Sequence, residues 1–188
     1  METVVDTSNV AATLTSIIDY GGQIAGVFHN FALIAETIPS GFEGSINILD
    51  ATIATLKQVL GLLKDEVESD GKKKLFSEEG LTYVQVLAKE CASTLVRVEG
   101  ATAKAVRDEE HGSRSRKGKK AKKAKKNEVI EIETLKLDEK DFLEKVENAK
   151  WRLATDDLEE CMERLYELQM HLLLVFQVVT IGVLSQDV

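Results

Sequence analysis

Proline and cysteine are scarce in this chain, and both scarcities limit the classes of protein to which it can belong. Its 188 residues include one proline, Pro39, and two cysteines, Cys91 and Cys161. A low proline content permits long uninterrupted helices. Two cysteines without CxxC spacing argue against a zinc site and against a disulfide-stapled secreted module. The sequence therefore predicts an intracellular protein whose cysteines are reduced. Because no basic region precedes the first apolar stretch, we expect no secretory signal.

Residue groups with catalytic or ligand-binding spacing are also missing. The histidines are scattered along the chain at His29, His111 and His171. None of them has a second ligand at the spacing that a metal site needs. A phosphate-binding loop needs two glycines separated by four residues, whereas five residues separate Gly112 from Gly118. We therefore expect a non-enzymatic protein with no cofactor and no bound metal.

Positive charge is concentrated in one short run. The net charge is −8, and removing the nine basic residues of this run leaves the rest of the chain at −17. The nine residues are Arg114, Arg116, Lys117, Lys119, Lys120, Lys122, Lys123, Lys125 and Lys126. Without aromatic or branched apolar residues the run cannot bury surface, so we expect a disordered, flexible insertion over 111–137.

The function of the basic run is open at this point. A nuclear import signal, a contact with phosphate groups and attraction to anionic lipid are three uses of such a run, and a solubilising loop is a fourth. Because no aromatic side chain is present for base stacking, we do not expect sequence-specific recognition of nucleic acid.

Apolar residues recur every three or four positions in four segments, which predicts four amphipathic helices. The expected helices cover about residues 9–38, 42–69, 78–109 and 138–184. Short turns favour antiparallel packing, so the sequence predicts one all-α domain over 1–188: an up-and-down four-helix bundle with the insertion before its last helix. The regular seam of the second helix would serve either the closed bundle or self-association.

Two apolar stretches raise the question of membrane contact. Residues 168–186 carry no charged side chain over 19 positions, close to the ~20 residues of a transmembrane helix. Because polar residues such as Gln177 interrupt this stretch and the amphipathic pattern continues into it, we expect a core helix.

The first helix is the second candidate for membrane contact. Its three glycines each weaken a helix by up to ~1 kcal/mol, so we expect either close packing against a neighbour or a second conformation. Small residues also let helices approach closely in lipid. The residues of this membrane hypothesis are Leu14, Ile17, Ile18, Gly21, Gly22, Gly26, Phe28 and Phe31.

Particular residues in all four predicted helices match a known pattern. They are residues 11–18, then Leu49, Leu56 and Leu60, then residues 87–91 with Leu95, and finally Trp151, Leu158 and residues 165–176. With these residues the chain, outside 111–137, resembles fungal HeLo-like N-terminal domains, which commonly precede the nucleotide-binding module of fungal STAND or NLR-like proteins. The resemblance implies a helical bundle used in signalling or programmed cell death, with some members acting on membranes through the N-terminal helix.

The leading hypothesis is therefore a non-enzymatic HeLo-like signalling domain with latent membrane activity in its first helix. It would be cytoplasmic with recruitment to membranes, and its partners would be other proteins, a second copy of itself or an anionic membrane. The alternative is a nuclear helical adaptor or scaffold addressed by the basic run Arg114–Lys126.

Overall fold

Four long helices make up the regular structure of the computed structural model, which describes residues 6–34, 41–69, 74–110, 135–138, 140 and 156–186. The helices are α1 (Thr7–Ile34), α2 (Phe42–Glu68), α3 (Glu78–Glu110) and α4 (Asp156–Gln186). The all-α prediction is confirmed for these residues. Most of the predicted insertion 111–137, and most of the segment 138–155 predicted to begin the last helix, lie outside them.

Helices α1 and α2 run antiparallel. At one end the Thr7 hydroxyl donates a hydrogen bond of 3.0 Å to the Glu66 carboxylate. At the other end the rings of Phe28 and Phe31 contact the ring of Phe42, with centroids 5.1 and 5.2 Å apart. The beginning of each helix therefore lies beside the end of the other.

The start of α3 is fixed by two polar side chains. Ser77 Oγ accepts a hydrogen bond of 3.0 Å from the Gly80 N–H, as a serine at the start of a helix commonly does. Just before it, the Glu66 carboxylate accepts the N–H groups of Leu75 and Phe76 at 2.7 and 2.8 Å. The chain therefore enters α3 at the end of the bundle where α2 stops.

Two ion pairs show that α3 and α4 are antiparallel. Arg97 on α3 contacts Glu160 near the start of α4 at 2.8 Å, whereas Glu90, earlier on α3, contacts Arg164, later on α4. The order of the partners is thus reversed between the two helices.

The packing order around the bundle differs from the order of the helices in the chain. The main neighbours of α1 are α2 and α3, and the main neighbours of α4 are also α2 and α3. In an up-and-down ring, α3 would pack beside α2, but here the two lie diagonally. The predicted up-and-down neighbour order is therefore not confirmed, whereas the all-helical four-helix arrangement is.

The core draws on all four helices but unequally along α4. The largest fully buried side chains are Leu14, Ile17, Ile24, Phe28, Leu49, Leu56, Leu63, Leu95, Leu165, Leu168 and Leu172. On α4 the buried positions end at Leu172, although the helix continues to Gln186. The second half of α4 is therefore at the edge of the core.

Candidate functional site

Large apolar side chains form an exposed stripe along α4. The stripe consists of Tyr166, Met170, Leu174, Val178, Ile181 and Leu184. They recur at steps of three and four, so they share one side of the helix, which we call the α4 apolar face. Exposure is 46% at Met170 and 63% at both Ile181 and Leu184. The face thus becomes more accessible to solvent towards the end of α4.

The opposite side of this half-helix is only partly covered. Val175, Phe176 and Val179 pack against the core but remain partly exposed, and no residue from 173 to 185 is buried. The prediction that 168–186 forms a core helix is therefore wrong for most of its length, since Leu168 and Leu172 are the only buried residues between 168 and 185. An apolar sequence indicates that a segment avoids water, but not which neighbour covers it.

Among the helices of the described ranges, two are apolar enough to cross a membrane by length and composition alone. One is α2. Half of its apolar 18-residue stretch is buried, as in the core helix of a soluble protein. The other is α4, over Asp157–Ser185. It contains an 18-residue stretch with a mean hydropathy of 1.8, and only 11% of that stretch is buried. The two helices are similar in length and apolar composition, but of these two only α4 leaves most of its apolar stretch exposed.

A cavity adjoins the α4 apolar face, between the start of α3 and the second half of α4. It has a volume of about 390 Å³, and its apolar lining includes Leu75, Phe76, Tyr83, Leu174 and Val178. Among the described residues that line it, Lys74 is the one charged side chain. The cavity extends the exposed apolar surface from α4 onto α3.

The other end of the α3–α4 contact is polar. Arg164 lies between Glu90 and Glu167, with its contact to Glu167 at 2.7 Å, and Arg97 pairs with Glu160. The hydrogen bond to Glu167 raises the pKa of Arg164. Because the side chains of these ion pairs are roughly half exposed, each pair contributes little to stability. This end holds α4 on α3 through charges, whereas the far end relies on apolar contact.

The cysteine thiols are poorly placed for nucleophilic chemistry. Burial raises the pKa of the Cys91 thiol to about 12, with a smaller contribution from the charge of Glu90. Burial also raises the pKa of Cys161. A thiol acts as a nucleophile only after it loses its proton, so neither cysteine is activated at neutral pH. In the part of the chain that the structure describes, no group of three His, Cys, Asp or Glu residues is placed to hold a metal ion.

The apolar residues of the first-helix membrane hypothesis lie inside the bundle. Leu14, Ile17, Ile18, Phe28 and Phe31 are all buried in the core. In the closed bundle α1 therefore presents none of these five side chains to solvent or lipid.

Only one of the three glycines of α1 is closely packed. A Cβ atom at Gly21 would lie 3.3 Å from both Ile53 Cγ1 and Leu95 Cδ1. At Gly22 and Gly26 nothing lies within 4 Å of such an atom. Close packing therefore accounts for Gly21 alone.

The second predicted site, the basic run Arg114–Lys126, lies outside the described residues. The exposed face of α4 was not predicted as a site, although the 19 uncharged residues of 168–186 were its signal in the sequence. Comparisons with protein families, with curated proteins and with solved structures gave no match to this chain.

Proposed function

We propose that this chain is a non-enzymatic helical signalling or interaction domain of the HeLo-like type, working in the cytoplasm through the exposed apolar surface of α4 and α3. The observation that supports it is the α4 apolar face, which continues into the cavity beside Tyr83. Contiguous exposed apolar surface marks sites of association with proteins or membranes. In this proposal the insertion 111–137 is a loop before the last helix of the four-helix bundle.

Growth of cells that express the chain tests the proposal. Inducible expression of the wild type in yeast should reduce colony formation, and the variant I181Q/L184Q should restore it because the exposed apolar surface is lost. L33Q is the matched control, since Leu33 on α1 is 84% exposed but lies outside the α4 apolar face. Equal colony counts for the wild type and both variants, with all three helical by circular dichroism, would contradict the proposal.

Latent membrane activity of α1 is a finer part of the proposal, and it requires the bundle to open. Gly22 and Gly26 favour opening because each weakens the helix without a compensating contact. The variant G22A/G26A should therefore release less dye from anionic liposomes than the wild type. Equal leakage from the two proteins, or none from either, would remove this part of the proposal.

A nuclear adaptor is a second candidate, supported by the concentration of nine positive charges in Arg114–Lys126 against a chain that is otherwise at −17. Such a run suits recognition by the import machinery. A fluorescent fusion should then enter the nucleus, and deletion of residues 114–126 should keep it in the cytoplasm. Cytoplasmic fluorescence for both proteins would exclude import by this run.

A further inference from the structure

The charges on α4 are confined to its first half. The acidic and basic residues of the helix are Asp156, Asp157, Glu159, Glu160, Glu163, Arg164 and Glu167. From Leu168 to Gln186 there is none. At 1.5 Å per residue, these 19 positions extend about 28 Å, close to the ~30 Å thickness of a bilayer's hydrocarbon layer. The uncharged half is thus as long as a hydrocarbon layer is thick.

The absence of charge around the whole half-helix favours lipid over a soluble protein as the partner. A helix that docks on another protein usually has charged residues beside its apolar stripe, which set partner and orientation. Here the exposed positions beside the stripe include His171 and Gln177, and no residue of the segment is an acid, a lysine or an arginine. Apart from these polar side chains, the half-helix therefore presents an uncharged and mostly apolar surface.

The hydroxyl groups of the segment are satisfied within the helix. Thr180 Oγ1 donates to the Phe176 carbonyl at 2.7 Å, and Ser185 Oγ donates to the Ile181 carbonyl at 2.9 Å. Hydrocarbon offers no hydrogen-bond partners, so polar groups must be satisfied internally before a segment can enter it. These two residues therefore do not oppose insertion.

We infer that residues 168–186 of α4 form a lipid-contacting segment. The α4 apolar face enters the hydrocarbon layer of a bilayer from the closed bundle, in which Leu168, Leu172 and the apolar side chains of α1 stay in the core. The inference rests on the proposed function, because it names the partner of the same apolar surface. Since the segment is uncharged and the chain outside the basic run is acidic, insertion needs neither anionic lipid nor low salt.

Site-specific fluorescence measures which helix meets lipid. An I181C variant is labelled with an environment-sensitive fluorophore, and the label selects the new thiol because Cys91 and Cys161 are buried. L33C, on the exposed side of α1, is the matched control. With neutral phosphatidylcholine vesicles carrying quencher-labelled acyl chains, we expect a blue shift and quenching at residue 181 only, unchanged at high salt.

A binding assay completes the test. I181Q/L184Q should lower the vesicle-bound fraction by about tenfold or more, since two large apolar side chains lose their burial. L33Q should bind vesicles as the wild type does.

Each other outcome overturns the inference in a distinguishable way. Equal quenching at residues 33 and 181 would place α1 in the bilayer as well. A blue shift at residue 181 that depends on protein concentration and needs no vesicles would mean that a second copy covers the face, leaving the interaction function standing. No change under any condition, in a monomer by light scattering, would remove the lipid contact and self-association, and would leave the interaction function to be decided by the growth assay.

Discussion

At the scale of single residues, the glycines of α1 show how space around a position decides the effect of a side chain. Alanine at Gly22 or Gly26 meets open space, so each change should raise the free energy of unfolding by roughly 0.5–1 kcal/mol through helix propensity. Alanine at Gly21 must displace Ile53 and Leu95. G21A should therefore raise the free energy of unfolding by less than the other two changes, or lower it. Urea denaturation of the three variants measures this difference. A G21A variant as stable as G26A would mean that α1, α2 and α3 separate easily there.

The buried thiol of Cys91 predicts a dependence of stability on alkaline pH. Its pKa is raised from 9.0 to about 12, so the folded state holds the proton more tightly than the unfolded state. The contribution is complete below pH 9 and is lost as the pH rises towards about 12. Denaturation at pH 8 and pH 11 should show a smaller decline for C91A than for the wild type. An equal decline in both would assign the alkaline sensitivity to other groups.

Gly41 is the residue at which backbone geometry alone restricts the sequence. It precedes α2 with a φ of 87°, in the left-handed region that glycine adopts without strain. The local sequence therefore specifies the turn at this position.

At the scale of whole helices, α4 has two different halves, and two leucines separate them. Leu172 is fully buried and Leu174 is 57% exposed, although they are two residues apart. L172A should lower the free energy of unfolding by about 2–5 kcal/mol, because it leaves a cavity. L174A should change it by less than about 1 kcal/mol. Denaturation curves of the two variants compare them directly, and a large loss for L174A would mean that the α4 apolar face is covered in solution.

The junction of α2 with α3 depends on one carboxylate. Glu66 accepts hydrogen bonds from Thr7, Leu75 and Phe76, and so joins α1, α2 and the start of α3. E66A should lower the free energy of unfolding by about 1–3 kcal/mol, because it leaves two backbone N–H groups without their acceptor. E68A is the matched control, since Glu68 lies two residues further along α2 and is exposed. Equal melting temperatures for E66A and E68A would show that the junction does not contribute to stability.

At the scale of the whole molecule, the distribution of charge predicts how the chain responds to salt. The full chain carries −8, and a variant lacking 114–126 carries −17. Repulsion among like charges destabilises a compact state and is screened by salt. The melting temperature should therefore rise between low and high sodium chloride, and should rise more in the deletion variant. A larger rise in the full chain would mean that the basic run is itself a source of repulsion.

The sequence by itself determined the four helices, the turn at Gly41 and the start of α3 at Ser77. These features depend on neighbours within a few positions: apolar residues at helical spacing, a glycine where φ is positive and a hydroxyl that accepts an early N–H group. The same local patterns assigned apolar faces to both α1 and α4.

Only the tertiary structure decided which of those faces is covered and which helices are neighbours. Periodicity shows that Leu14 and Ile17 share a side of α1, and that Leu174 and Ile181 share a side of α4, but it contains no information on what packs there. In the bundle α2 and α3 enclose the face of α1, whereas the second half of α4 extends past its last buried residue, Leu172, with its outer side uncovered. Burial is a property of contacts between distant parts of the chain, so it follows from the packing order and not from the pattern of any one helix.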